Sequence, residues 1–252
     1  MIIATWNVNS VRARLERLLA WLEKVAPDVL CLQEIKVVTE AFPYEAVQQA
    51  GYQAAVYGQK TYNGVAILAR QDIRDVARGL EDDPEARLIA ATVGVIRVVS
   101  AYVPNGREVG TEHYQYKLDW LAKLERMLRH TADPAGEWVL CGDLNIAPGD
   151  GDVAFPDVWA DSVLCHADAR AALAAVRDWG LVDCFQQHHP EGGLYSWWDY
   201  RRGAFARNDG LRLDHVYATA PLAERCRGVQ IDRDERRGDK PSDHAPVIAR
   251  FR

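Results

Sequence analysis

Seven polar residues of this chain sit where a buried strand would end. Asn7 closes the run IIATW, Glu34 follows VLCLQ, and Asp143 and Asn145 follow WVLCG. Asp214 lies inside LRLDHVYA, and Asp243 with His244 precedes APVIA. A lone carboxylate in such a place is usually a helix cap or a turn residue. Repetition weakens that explanation, because carboxylates that converge repel one another unless a cation or a shared proton offsets them. The donor set is rich in oxygen, poor in histidine and free of cysteine. It favours a hard ion, Mg2+ or Mn2+, over zinc.

The elements that must hold these residues are short apolar runs interleaved with helical patterns. Ile2–Trp6 and Val29–Leu32 read as buried strands. Tyr52–Tyr57, Gly64–Ala69, Leu88–Val93 and Ile96–Tyr102 read as an antiparallel meander. Leu15, Leu18, Leu19, Leu22 and Val25 repeat at helical spacing ahead of Pro27. Pro43–Ala50 reads as a short helix closed by Gly51, and a longer one spans about Glu112–Arg129. After the Pro/Gly connection His130–Glu137, the pattern predicts a strand at Trp138–Leu144 and a helix at Asp168–Trp179. Further strands are expected at Tyr195–Trp198, Arg212–Ala218, Gly228–Ile231 and Ala245–Phe251. The halves, about 1–130 and 137–252, rhyme: each opens on a buried strand that ends in an Asn-bearing turn (TWNVNS, GDLNIA). The expectation is one α/β domain over 1–252, with two similar layers packed face to face.

Composition removes several classes of function. With 48% apolar and 26% charged residues the chain is far from the profile of a disordered one. A net charge of −6 argues against binding nucleic acid over the whole surface, though a local basic groove is compatible with it. The five cysteines lack metal-type spacing, and Cys31 and Cys141 read as small core residues of strands. No apolar run approaches the ~20 residues that span a bilayer, and MIIATWNVNS lacks the marks of a signal peptide. The sequence therefore reads as a reduced, cytoplasmic, monomeric protein with no membrane partner.

The stretches ATWNVNSVRAR, LQEIK, SAYVPNG, GDLNIAP, SWWDYR, GLRLDHVYAT and SDHAPV follow in order between residues 4 and 247. In these the chain resembles the exonuclease III type of abasic-site endonuclease, within the DNase I-like metal-dependent phosphodiesterases. The resemblance implies a four-layered α/β sandwich of two packed mixed β-sheets flanked by helices. It implies Mg2+- or Mn2+-dependent hydrolysis of double-stranded DNA at abasic sites, nicks, gaps or 3′ ends. It also implies roles. Glu34 would be the main metal ligand with Asp243 close by, and Asn7 would fix ligands or coordinate through its side-chain oxygen. Asp143 and Asn145 would complete that set. Asp143 would orient or deprotonate the attacking water, while Asn145 would hold Asp143 and the scissile phosphate. His244, steadied by Asp214, would donate to a phosphate oxygen, and Tyr102 would hydrogen-bond the phosphate or help the leaving oxygen. Trp197, Leu211 and Leu213 would form a slot for a sugar lacking its base, with Trp198 in the core. Arg12, Asn105, Arg107 and Arg207 would contact DNA, and Arg14, Arg201, Arg202 and Arg212 could add to the basic rim.

One stretch departs from the family. The loop DSVLCHADARAAL has Cys165 and His166 where small and aromatic residues are expected. If this loop borders the strand 5′ of the scissile bond, His166 would crowd an internal site and favour 3′-end processing. The plainer reading is an exposed loop histidine. Two rival functions stand beside the nuclease: another phosphodiesterase of the same fold, acting on inositol phosphates or sphingolipids, and a catalytically silent DNA-binding scaffold. The WW and LRLD blocks favour the DNA branch. A silent scaffold would be expected to lack at least one of Glu34, Asp143, Asp214, Asp243 and His244, and all are present.

Overall fold

A computed structural model describes residues 1–252. Its strands form two six-stranded sheets. The first contains β1 (Ile2–Asn7), β2 (Val29–Gln33), β3 (Gln53–Tyr57), β4 (Val65–Ala69), β11 (Cys226–Ile231) and β12 (Val247–Phe251), in the order β11-β12-β1-β2-β4-β3. The second contains β5 (Ile73–Arg78), β6 (Leu88–Val93), β7 (Ile96–Tyr102), β8 (Trp138–Asp143), β9 (Leu181–Asp183) and β10 (Asp214–Thr219), in the order β5-β6-β7-β8-β10-β9. The helices are α1 (Leu15–Val25), α2 (Tyr44–Gln49), α3 (Glu112–Thr131), α4 (Pro156–Trp159), α5 (Ala167–Asp178), α6 (Cys184–His188), α7 (Ala204–Arg207) and α8 (Ala220–Ala223).

Both sheets use one pairing pattern. The central strands, β1 with β2 and β7 with β8, are parallel and joined through α1 and α3. Every other neighbour is antiparallel. Central strands covered on both faces read as unbroken apolar runs, and β2 is buried at all five positions. Between the sheets lie Ile3, Cys31 and Ile67 from one side and Ile89, Val98, Val139, Cys141 and Val216 from the other. Leu18, Trp21 and Leu22 of α1 pack on the outer face of the first sheet. Trp120, Leu121, Leu124 and Leu128 of α3, with Leu173 and Val176 of α5, cover the second. Helix, sheet, sheet and helix make the four layers expected.

Several sequence readings change. The expected division at residues 130–137 does not separate two sheets, because β7 and β8 lie on either side of it and pair with each other. The repeated unit of the second sheet runs continuously from β5 to β10, whereas the first sheet joins β1–β4 to β11 and β12. The meander is also split: β3 and β4 belong to one sheet, β6 and β7 to the other. Strand β5 escaped notice because IRDVAR has no buried position. Residues Tyr195–Trp198 form no strand, only single bridges from Trp197 to Leu211 and His244. Strand β10 already has β8 and β9 on its two edges, so this segment has no free edge to join.

The shared pattern fixes where chemistry can occur. Parallel β1, β2, β7 and β8 all finish at one rim of the sandwich, and antiparallel β10 and β12 begin there. Gly142 is essential to the close packing of that rim. It has φ +153°, and a Cβ on it would lie 1.8 Å from the Ala101 carbonyl oxygen of the adjacent strand. Gly142→Ala should therefore destabilise the protein by roughly 2–5 kcal/mol, the range of severe overpacking and backbone strain. Urea denaturation measures this; a loss below about 1 kcal/mol would show that β7 and β8 can separate without penalty.

Candidate active site

Asn7, fully buried at the end of β1, ties the two sheets together. Its Nδ2 donates to Glu34 Oε1 of its own sheet and to Asp143 Oδ2 of the opposite sheet, both at 2.9 Å. Just past the strand ends the backbone turns into the left-handed region at Asn9, Glu34, Lys36 and Asn145 (φ +43 to +54°). A side chain with a Cβ pays about 1 kcal/mol or more to stand there, and such positions collect at functional sites. The turns aim polar side chains inward from the rim. Lys36 Nζ pairs with Glu34 Oε2 at 2.8 Å and donates to Asn9 Oδ1 at 2.6 Å. Asn9 Nδ2 in turn donates to Asp243 Oδ1 at 2.9 Å, and Trp197 Nε1 donates to Asp243 Oδ2 at 3.1 Å.

His244 stands between two carboxylates. Its Nδ1 is 2.8 Å from Asp214 Oδ2 and its Nε2 is 3.6 Å from Asp143 Oδ2. Burial alone would push the imidazole down, but Asp214 and Asp143 overcome it and hold the pKa up at about 10. The ring is therefore an imidazolium at neutral pH. Burial pushes Asp143 up to about 7 against the pull of His244, leaving a carboxyl group poised to exchange a proton near neutrality. Ser196 orients Asp214: its Oγ donates to Asp214 Oδ2 at 2.6 Å and accepts the amides of Leu213 and Asp214 at 3.0 Å. Ser242 anchors the histidine segment, donating to the Asn7 carbonyl at 2.6 Å and accepting the His244 amide at 3.2 Å.

Tyr102 ends β7. Burial, reinforced by Glu34 and Asp143, raises its pKa well above the usual phenol value, so it keeps its proton. Arg87 lies 4.8 Å from the centre of its ring. Asn145 turns its amide inward: Nδ2 donates to the Val103 carbonyl at 3.0 Å, and Oδ1 accepts from Asn105 Nδ2 at 3.2 Å. Its backbone amide donates to Asp143 Oδ1 at 2.9 Å. Asn145 thus holds Asp143 through its backbone amide and the Asn105 turn through its side chain.

The structure brings together Asn7, Glu34, Tyr102, Asp143, Asn145, Asp214, Asp243 and His244, and parts from expectation at the periphery. Leu211 and Leu213 are buried in the core and do not line an open slot. They back the Trp197 ring, while Trp159, from the short helix α4, meets it edge-on at 5.9 Å. A pocket of about 460 Å³ opens there, bounded by Asn105, Arg107, Trp159, Val163, Leu164 and Trp197. Arg212 is not part of a basic rim: it is buried and paired with Asp152 at 2.7 Å and Asp183 at 2.9 Å. Arg12 lines a different groove, beside Arg17 and Lys240. Arg207 is exposed and engages the Arg202 carbonyl and Asp209. Cys165 is buried. His166 caps α5, accepting the Asp168 amide at 3.3 Å, and its Nδ1 lies 3.0 Å from Tyr114 Oη, so it is a fixed ring and not a loose loop residue. Sequence reasoning missed Asn9, Lys36, Trp159, Ser196 and Ser242, though Asn9, Lys36, Ser196 and Ser242 stand within the quoted motifs.

The donor chemistry separates two places for a cation. Atoms of Asp143, Asp214 and His244 lie within 4.8 Å of one another, but a protonated, hydrogen-bonded imidazole has no lone pair to offer. Glu34 fits a hard ion better: it is an oxygen donor left partly exposed (19%) and is balanced only by the Lys36 ammonium.

Comparison with known proteins agrees with this geometry. A model of the endonuclease/exonuclease/phosphatase family matches residues 4–244. Exodeoxyribonuclease III of Haemophilus influenzae is 38% identical, the match covering 100% of both chains. The exodeoxyribonuclease of Bacillus subtilis is 31% identical over 98% of each. Among solved structures, an AP endonuclease from Archaeoglobus fulgidus superposes with a TM-score of 0.98 at 42% identity, over 100% of this chain and 99% of that one. A 3′ phosphatase, NExo, from Neisseria, bound to a product DNA hairpin, gives the same values.

Asp214→Asn should keep the fold but remove the charge that holds the His244 proton. The raised pKa means the imidazolium persists at neutral pH and is lost only as pH rises through about 10. In the variant the alkaline limb of the kcat profile should move at least one pH unit lower, with kcat at pH 8 reduced at least tenfold. NMR titration of His244 checks the cause directly; an unmoved histidine would refute the pairing.

Proposed function

The chain belongs to the endonuclease/exonuclease/phosphatase family, and on that premise we propose that it is a metal-dependent DNA repair nuclease. It hydrolyses phosphodiester bonds of duplex DNA at abasic sites and removes nucleotides and blocking groups from 3′ ends. The observation that carries this reading is the cluster at the rim of the two sheets. There Asn7 joins the partly exposed Glu34 to Asp143, and His244, held by Asp214, turns its other ring nitrogen toward Asp143.

Glu34 would hold a magnesium or manganese ion, with Asn7 fixing its carboxylate and Asp243 nearby on the Asn9 bridge. The bound ion supplies positive charge where the phosphate gains negative charge. Asp143, held by Asn7 and the Asn145 amide, takes a proton from the attacking water. His244 donates through Nε2 to a phosphate oxygen while Asp214 fixes the ring by its other nitrogen. Tyr102 keeps its hydroxyl proton and gives a hydrogen bond to the phosphate or to the leaving 3′ oxygen. Trp197, Trp159, Asn105 and Arg107 receive the damaged sugar and its flanking phosphate in the pocket between them. The protein acts as a single chain on DNA in the cytoplasm.

His166 biases the enzyme toward 3′ ends. Its contact with Tyr114 and its place at the start of α5 hold the imidazole beside the loop that walls the pocket. The strand 5′ of the cleaved bond is present at an internal site and at a 3′ end alike, so the discrimination falls on the 3′ side, where an internal site continues and a 3′ end does not.

Two measurements test the reading. EDTA should abolish cleavage of a labelled duplex, and Glu34→Ala should lower kcat/KM by at least a hundredfold in Mg2+, because the main hard ligand is gone; full activity in chelator refutes the metal site. His166→Gly should raise incision at an internal abasic site several-fold while 3′-end removal at a nick stays constant. An unchanged ratio of the two activities refutes steric gating.

A further inference from the structure

Lys117 is a buried amine that the chemistry above leaves unused, its pKa lowered to about 7 by burial. It lies on α3 with no exposed surface. Its Nζ donates to three backbone carbonyls: Asn105 at 3.1 Å, Asn145 at 2.7 Å and Val163 at 2.6 Å. Three ammonium protons meet three carbonyls. An unpaired buried ammonium is strongly unfavourable, and these dipoles replace the water it has lost.

The three carbonyls belong to three separate segments. Asn105 is in the turn after β7, Asn145 follows β8, and Val163 precedes α5. Two of these segments form facing walls of the pocket, through Asn105 and Arg107 on one side and Val163 and Leu164 on the other. The third carries the amide that holds Asp143. The Lys117 stem shapes the first wall as well: a Cβ on Gly106 would lie 3.0 Å from Lys117 Cδ, and Gly106 has φ +92°. The turn therefore lies directly on the lysine.

We propose that Lys117 is a positioning residue that sets the width of this pocket, and with it the fit of the damaged sugar and its phosphate, by pinning both walls to the segment that carries Asn145. The proposal rests on the nuclease reading and concerns how the substrate is held. Leu or Met here would fill similar space yet leave all three carbonyls without a donor, free to draw in water and part the walls.

The test uses Lys117→Met, Lys117→Arg, Asn105→Ala and the double variants, assayed in Mg2+ on an abasic duplex and on a nicked duplex. Lys117→Met should raise KM for the abasic duplex at least fivefold with a smaller fall in kcat, and Lys117→Arg should recover part of the loss. Asn105→Ala keeps the carbonyl that Lys117 binds but removes the Nδ2–Asn145 Oδ1 bond, the other tie between this wall and the Asn145 segment, so the effect of Lys117→Met in that background should differ at least fivefold from its effect in the parent. A merely structural lysine would lower the melting temperature and the active fraction, leave KM unchanged and give additive losses; that pattern overturns the proposal. If Lys117→Met does not fold, the same cycle with Lys117→Arg carries the comparison, and additivity there overturns it. A parent enzyme that cleaves neither duplex would overturn the nuclease reading and this proposal together, whereas an active parent with an additive cycle overturns this proposal alone.

Discussion

The bridge from Asn7 to Glu34 and Asp143 is the contact on which the rest of the rim depends. One amide group offers two protons, and each goes to a carboxylate on a different sheet. Face-to-face packing of apolar strands fixes distance between sheets but not their sliding, since dispersion and hydrophobic burial lack direction. Directional bonds supply what burial cannot. Behind Asn7, Thr5 Oγ1 donates to Gln33 Oε1, and Gln33 Nε2 donates across to Ser100 Oγ, each at 3.1 Å. A column of polar pairs thus runs inward from the site through an otherwise apolar interface. It sets the register in which the two strand ends meet.

Charge balance follows from that register. Four carboxylates, Glu34, Asp143, Asp214 and Asp243, are drawn to one rim, and each is neutralised differently. Asp214 has the imidazolium. Glu34 has an ammonium that an incoming cation can displace. Asp243 has the neutral donors Asn9 and Trp197. Asp143 has its pKa raised by burial. Four identical functional groups thereby acquire different partners, which is what a site that must both bind and transfer protons needs.

Much of this was legible in the sequence, for a physical reason. An apolar run that must be buried on both faces announces itself, and a polar residue at its end has few places to go; Asn7, Glu34, Asp143 and Asp214 were found that way. The architecture of four layers followed from the same runs and from the family resemblance. What stayed hidden depends on partners distant in the chain. Nothing local distinguishes Arg212, buried on two aspartates, from an arginine waiting for phosphate. Leu211 and Leu213 were assigned to a slot by the family resemblance, yet both are buried in the core. Lys117 reads as one more polar residue of an amphipathic helix, and only the convergence of three loops shows that it is inside. Strand β5 lacks buried positions, so its pairing with β6 leaves no periodic trace.

The uneven sharing of strands between the sheets has a consequence in time. The second sheet uses an unbroken stretch, β5 to β10, and its pairing is complete once residue 219 has been made. The first sheet is not: β1 takes the much later β12, at Val247–Phe251, as its antiparallel neighbour. A chain folded only through β10 would hold one complete sheet and one with a bare strand edge, a state that exposes unpaired backbone. Asp243 and His244 arrive with the same late segment that covers the edge. Closing the sheet and delivering these two side chains are a single event, so a nascent chain cannot carry the complete acidic rim before its first sheet is closed.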